Sequence, residues 1–322
     1  MATAMKTSTR RLFSTSRCLQ HENPLGLPRT GTPPNFPRMQ RGLPKKAPIK
    51  SVRKVIAVSS AKGGVGKSTI AVNLALSFAR RGLRSGVLDT DIFGPSIPTL
   101  LNLSGQEPRL SENNQLIPLS NYGIKSMSMG YLVGDSSPVV WRGLMVMKAL
   151  QQLLHEVEWG GLDILVLDLP PGTGDTQLTI TQQIVLDGAV IVSTPQDIAL
   201  KDAVKGINMF KKVEVPPSVT HSHMPNRYPT IQILGMLQNM SHFTCPHCLH
   251  RTNIFSSPNA SGLGKACAEH SVPLLGSIPL HASICEDADR GVPTVVSEPQ
   301  SERARVFGDV AGRIATELGL ED

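Results

Sequence analysis

Two stretches of the chain gather residues whose types and spacing could do chemistry. The first is Lys62-Gly63-Gly64-Val65-Gly66-Lys67-Ser68-Thr69, in which three glycines within four positions lead into Lys-Ser-Thr. Glycines let successive backbone N–H groups turn toward one point and form a nest for an anion, and a helix that starts there adds its positive end. In a G-x-x-x-x-G-K-[ST] phosphate loop the lysine, here Lys67, reaches the β- and γ-phosphates of a nucleotide, and the hydroxyl of Ser68 sits on Mg2+. The first glycine of that pattern is replaced by Ala61. The second stretch holds Cys245 and Cys248 at C-x-x-C spacing, with His247 and His250 beside them. Two thiolates so spaced can converge on one metal, but a closed tetrahedral site or a cubane cluster takes four soft ligands. One chain therefore offers half a site. Two chains related by a two-fold axis would supply all four cysteines, and a mononuclear zinc completed by the histidines is the alternative.

The elements around these residues must place them. KVIAVSS (54–60) is a short apolar, β-branched run, and Ile70, Leu74, Ala75, Phe78 and Ala79 recur at helical spacing until Gly82, so the glycine-rich turn lies between a strand and a helix. GVLDTD (86–91) reads as a strand that delivers Asp89 and Asp91, and DILVLDLPPGTGD (163–175) as another that ends in Asp168. An apolar strand ending in aspartate can hold Mg2+ through water, which assigns Asp168 to the metal, while Asp91 is placed to position the attacking water. Asp89 and Asp168 also suit a helix N-cap. AVIVSTP (189–195) and IQILGMLQNM (231–240) add buried strands, the second ending near Asn239, which either reads an adenine edge or serves ordinary turn chemistry. The alternation of strand and helix predicts an α/β fold, a mostly parallel sheet with helices on both faces.

Hydrophobic residues make up 40% of the 322 and charged residues 18%, which are globular values. No apolar run approaches the ~18 residues that suggest a membrane span. The formal net charge is +7, yet residues 1–54 alone carry 12 Lys/Arg against one acid, Glu22, leaving −4 for the remainder. A nucleic-acid-binding surface is therefore not expected on the folded part. Residues 1–20, rich in Arg, Ser and Thr and free of acids, read as a mitochondrial presequence, and residues 21–51, with seven prolines, as a linker to a domain spanning 52–322. Five cysteines, unevenly placed, do not make a secreted disulfide framework; Cys267 and Cys285 are expected in the core. The tail from Glu302 to Asp322 repeats Val306, Val310, Ile314 and Leu318 at helical spacing with matched charges, and reads as a packed surface helix.

KGGVGKST, DTDIFGPSIP, MSMGYLV, VVWRGLMVMKAL, DLPPGTGDTQL, VSTPQDIALKDAVKGINMF, QNMSHFTCPHC and GSIPLH together resemble the Mrp-type scaffold branch of the P-loop NTPases, from about Arg41 to about Pro299. The resemblance implies the deviant phosphate loop shared with MinD and ParA, in which the extra lysine, here Lys62, crosses a dimer interface to the partner's nucleotide. It further implies a homodimer that binds ATP with Mg2+, carries a labile [4Fe–4S] cluster on Cys245 and Cys248 of both subunits, and passes it to apo iron–sulfur proteins, complex I subunits of the mitochondrial matrix among them. Slow ATP hydrolysis is implied by the same likeness. A MinD/ParA-like positioning ATPase and a nucleotide-binding dimer with structural zinc are the competing readings. The chain departs from the family pattern at residues 217–232, PSVTHSHMPNRYPTIQ, expected to be a surface loop inserted before the strand that leads to Asn239.

Overall fold

A parallel sheet whose central strands are buried along their length needs cover on both faces, and the apolar runs read above become its centre. The computed structural model describes residues 46–132, 143–212, 231–255 and 262–321. The expected presequence, most of the linker and residues 217–230 of the insert lie outside them. In chain order the elements are β1 (Val52–Ser59), α1 (Lys67–Arg80), β2 (Ser85–Asp89), α2 (Ile97–Leu100), β3 (Leu119–Asn121), β4 (Ile124–Ser128), α3 (Gly143–His155) and β5 (Leu162–Asp168). There follow α4 (Asp175–Gln183), β6 (Gly188–Ser193), α5 (Asp197–Lys212), β7 (Ile233–Gln238), β8 (Phe243–Thr244), β9 (Arg251–Thr252), α6 (Gly262–His270), β10 (Leu274–Ser277), α7 (Ala282–Asp289), α8 (Thr294–Ser297) and α9 (Glu302–Glu317).

Eight strands form one sheet in the order β10-β7-β6-β1-β5-β2-β4-β3, parallel throughout except for the edge strand β3. β8 and β9 form a separate antiparallel hairpin. β6 is buried at every position, β5 at six of seven and β1 over its last five, from Val55 to Ser59, as strands shielded on both faces must be. α1 packs on β1, β2 and β5 and carries α9 against it, while α5 packs on β6 and carries α6. In α9 the residues Phe307, Val310, Ala311 and Ile314 are buried, so the apolar stripe read in the tail faces the domain.

The order of strands decides where chemistry can occur. The crossover from β1 runs to β2 on one side of the sheet, while the crossover from β5 passes back over β1 to β6 on the other, so the chain reverses direction across the sheet at β1 and β5. The carboxyl ends of strands at such a reversal open a crevice in which α/β folds bind ligands. The phosphate loop leaves β1 there, and Asp168 and Asp89 end β5 and β2 in register with each other.

Two boundaries differ from expectation. Ala47 donates its N–H to Gln183 O at 2.9 Å and Ile49 is buried, so the last residues assigned to the linker already pack on the domain. At the far end of the insert Ile231 is buried and Gln232, its side chain exposed, accepts at its backbone O from Ala189 N at 2.8 Å, because these residues lead into β7.

Candidate functional site

The loop between β1 and α1 turns on two glycines in the left-handed region, Gly64 at φ +77° and Gly66 at φ +82°. Other residues adopt that conformation at a cost. Gly66 is doubly constrained, because a Cβ there would stand 2.4 Å from Asn239 Nδ2. By contrast, nothing lies within 4 Å of where a Cβ would stand on Gly63 or Gly64. The loop is thus held tightly from below at Gly66 and is open above Gly63 and Gly64, the shape of a cradle for an anion at the start of α1.

Asn239 is the clamp. Its Nδ2 donates to Val65 O at 2.8 Å, and its Oδ1 accepts from Met240 N at 3.0 Å. Both polar ends of the amide are engaged with backbone, so an adenine contact would require one of these bonds to be exchanged. Lys62 is exposed and donates from Nζ to Gln196 Oε1 at 3.2 Å, just ahead of α5. Val65 is buried, and Ser68 and Thr69 begin α1 half-buried.

Lys67 is buried and ion-paired with Asp168 Oδ1, with Ser68 Oγ 3.3 Å from its Nζ. Asp168 is wholly buried, and its Oδ2 has no hydrogen-bond partner among the described residues. A buried carboxylate oxygen with free lone pairs, beside a serine hydroxyl and below an open glycine cradle, fits the residues that would hold Mg2+ and nucleotide phosphates. Burial pushes the Asp168 carboxyl up from its ordinary range, and Lys67 opposes that rise. Thr90 fixes the same strand end, donating to Asp168 O from its N–H at 3.0 Å and from Oγ1 at 2.8 Å. The loop that follows is tied back by Gly172 N donating to Ser60 O at 2.9 Å and by buried Gln177 donating to Ser59 Oγ at 3.2 Å.

Asp89 acts on the loop after β2. Its Oδ1 accepts from Asp91 N at 2.9 Å, and its Oδ2 accepts from Ser128 Oγ at 3.0 Å and from Ile97 N at 3.4 Å. One carboxylate therefore grips both ends of the Asp91–Ser96 loop and ties them to β4. The helix-cap reading of Asp89 holds in a non-local form, since Ile97 begins α2 and Ser96 makes no side-chain cap. Asp91 itself is half-buried at the mouth of the crevice.

Complete burial, with Asp168 close by, pushes Asp89 from 3.8 to about 7, against the pull of Asp91 N–H, Lys67 and Ser128. The folded state then holds a proton that the unfolded chain releases near pH 4, so Asp89 lowers stability progressively as pH rises from about 4 to about 7. Asp89→Asn removes this penalty while keeping an acceptor oxygen. Its stability relative to the parent should rise between pH 5 and pH 7, on the order of 1 kcal/mol per pH unit, and level off above, as read by urea unfolding at each pH.

The cysteines occupy the turn of the β8–β9 hairpin. Leu249 N donates to Cys245 O at 2.9 Å and Cys245 N to His250 O at 3.0 Å, closing a tight knuckle. Backbone N–H groups of Cys248 and His247 point at the Cys245 sulfur and hold its thiol below the usual range, which favours a thiolate ligand. Cys245 is half-buried and Cys248 exposed. Among the described residues no three His, Cys, Asp or Glu side chains converge as a metal site, so His247 and His250 do not complete a mononuclear zinc set with the pair. The hairpin is docked by Ser241 N donating to Ile278 O at 2.9 Å and Leu280 N to His242 O at 2.8 Å. Of the remaining cysteines Cys267 is buried as expected, but Cys285 is exposed on α7, 3.9 Å from Asp289 Oδ2, since that helix turns this position outward.

Sequence reasoning did not find Thr90, Ser128 or Gln177. Each contributes through a partner far away in the chain, and the only signal was a polar residue at the end of an apolar strand for Thr90 and Ser128, with none for Gln177 in α4.

A family model described as NUBPL iron-transfer P-loop NTPase, of the ParA type, matches residues 51–315. The chain is 52% identical over 282 residues to the mouse iron-sulfur cluster transfer protein NUBPL, covering 87% of this chain and 82% of that protein. It is 47% identical over 271 residues to the Arabidopsis thaliana iron-sulfur protein required for NADH dehydrogenase, mitochondrial, covering 84% and 80%. Among solved structures, the nucleotide-binding protein of Archaeoglobus fulgidus in complex with ADP superposes with a TM-score of 0.64 at 33% identity, over 80% of this chain and 93% of that one. The cell division ATPase MinD of Pyrococcus furiosus shares the fold, with a TM-score of 0.56 at 20% identity over 82% and 99%.

Proposed function

The chain belongs to the NUBPL iron-transfer P-loop NTPase family, and from that premise we propose that it is a nucleotide-driven carrier that assembles a [4Fe–4S] cluster and delivers it to mitochondrial apo-proteins. The observation that carries this reading is the direct connection between its two sites. Asn239 grips the phosphate loop at Val65 and Gly66, and only five residues separate it from Cys245. A shift of the loop on nucleotide binding is therefore felt at the root of the cysteine hairpin.

In this proposal ATP supplies the γ-phosphate whose presence and loss set the state of the loop. Gly63, Gly64, Val65 and Gly66 present backbone N–H groups to the phosphates, and Thr69 continues the cradle into α1. Lys67 leaves Asp168 to pair with phosphate, which frees both Asp168 oxygens to work with Ser68 on Mg2+. Asp91, held by its backbone to Asp89, orients the attacking water. Lys62 reaches the nucleotide of a second copy; it is exposed at the same edge as Phe93, 70% exposed after β2, and Ile198, 67% exposed at the start of α5. Large apolar side chains this exposed around a phosphate loop suit a surface that closes against its twin.

Cys245 and Cys248 of two copies would complete a four-thiolate set for the cluster, which is cargo here. The recipients are apo iron–sulfur proteins, complex I subunits of the mitochondrial matrix in the first place, reached by way of the presequence at residues 1–20. A positioning ATPase would instead need a free amphipathic or basic tail. α9 offers neither, because its apolar stripe is packed against α1 and β10.

The test is transfer. Protein reconstituted with iron and sulfide is mixed with an apo-acceptor, and acceptor activity is followed with and without Mg·ATP. The expected result is recovery of the acceptor at a rate that Mg·ATP changes severalfold; identical kinetics in the two conditions would contradict the coupling.

A further inference from the structure

A cavity of about 680 Å3 opens beside the cysteine hairpin, walled by β8, the turn after β10, the start of α7 and the start of α9. Phe243, Leu249 and Leu280 supply apolar wall, Arg251, Arg303 and Glu302 supply charge of both signs, and Cys245 itself forms part of the lining while Cys248 does not. That volume is within the range of sites that hold a small molecule or a short peptide. The arginines are engaged within the chain, whereas the apolar rim is exposed. Arg303 is largely buried, donating from Nη2 to Ser283 Oγ at 2.9 Å and pairing with Glu298, and Arg251 faces Glu302 at 3.9 Å. Leu249 sits at φ +56° with 74% of its surface exposed, so the chain accepts backbone strain in order to hold an apolar side chain out at the rim.

Resting on the carrier function above, we propose that this cavity receives a cysteine-bearing segment of the acceptor protein, an extended stretch whose apolar residue next to its cysteine seats against Phe243, Leu249 and Leu280. Iron held by Cys245 is the iron such a segment meets first. The step is a thiol-for-thiolate exchange: an iron–sulfur bond forms to the acceptor cysteine, the bond from iron to Cys245 Sγ breaks, and the acceptor's thiol proton ends on Cys245. No electron changes hands, so no further reagent is needed. The apolar wall gives the entering residue a place to bury its neighbour, worth on the order of 25 cal/mol per Å2 covered. Cys248, exposed and outside the cavity, keeps its iron until the first exchange has happened, which gives the release an order.

Ala282 is exposed at the first residue of α7 and lines the cavity, so a tryptophan there fills the space without disturbing the core. Full-length parent, Ala282→Trp and Leu249→Ser are reconstituted with iron and sulfide and mixed with apo-aconitase as the probe acceptor. Iron content, particle size and the rate of iron removal by bipyridyl are read in parallel. The proposal expects transfer to apo-aconitase about tenfold slower in Ala282→Trp and severalfold slower in Leu249→Ser, with iron content, size and bipyridyl removal as in the parent. Transfer at the parental rate in Ala282→Trp overturns it. Loss of iron loading or a change of particle size in that variant also overturns it, by showing that the cavity seats a second copy of the chain. A parent that takes up no iron fails earlier and removes the carrier function itself.

Discussion

Lys67→Ala is expected to abolish nucleotide binding, lowering affinity at least about a hundredfold, or roughly 3 kcal/mol. The lysine is the buried cation of the crevice, and its removal strips the phosphates of their point charge. It also leaves two wholly buried carboxylates, Asp168 and Asp89, facing each other from neighbouring strands with no cation between them. Removing one partner of a buried pair costs about 3–5 kcal/mol. Part of that cost is avoided if Asp168 takes up a proton, so the destabilisation should grow with pH: the pair stabilises the fold only while Asp168 is ionised, and burial has already raised its carboxyl. Calorimetric titration with ADP and urea unfolding at pH 6 and pH 8 read the two effects separately. Retained ADP affinity would remove the phosphate loop from the account.

Cys248→Ala is expected to do the opposite, to leave the fold intact and lose the cargo. Cys248 is exposed and sits in a two-stranded hairpin apart from the main sheet, so its truncation removes no core packing. A half-site reduced from two thiolates to one leaves two ligands in a dimer where four are needed, and the cluster's retention should fall to nothing measurable after desalting. Urea midpoint and ADP affinity should match the parent. A variant that keeps its iron would place the cluster on other ligands.

Much of the sheet was legible. β1, β5, β6 and β7 are buried on both faces through their centres, and such strands write themselves as apolar runs, those of β5 and β6 closing soon afterwards on proline. β2 was visible for the same reason, and the phosphate loop followed from strand, glycines and helix in order. β4 was hidden because its sequence, IKSMS, carries two serines that are fully buried, one bonded to Tyr131 Oη at 2.8 Å and the other to Asp89. A polar residue satisfied by a distant partner looks like surface when only neighbours in sequence are considered. β10, four residues long, was too short to stand out.

The site was legible at the level of residue types and less so at the level of roles. Lys67 and Ser68 sit together as the loop motif requires, and Asp168 joins them because β5 pairs with β1. Asp89 and Asn239 hold the two loops in place, because each amide or carboxylate finds backbone partners only once β2, β4 and β7 are assembled. The outward turn of Cys285 depends on how α7 lies, which periodicity over eight residues does not define.

The most direct test of the central claim is the metal itself. Full-length protein reconstituted anaerobically with iron and sulfide should hold about four iron and four sulfide per two chains, with broad absorption near ~400 nm, and the Cys245→Ala, Cys248→Ala double variant should hold none. Failure to take up iron, with one tightly bound zinc on the same cysteines, would contradict the carrier account and leave a nucleotide-binding protein with a structural metal.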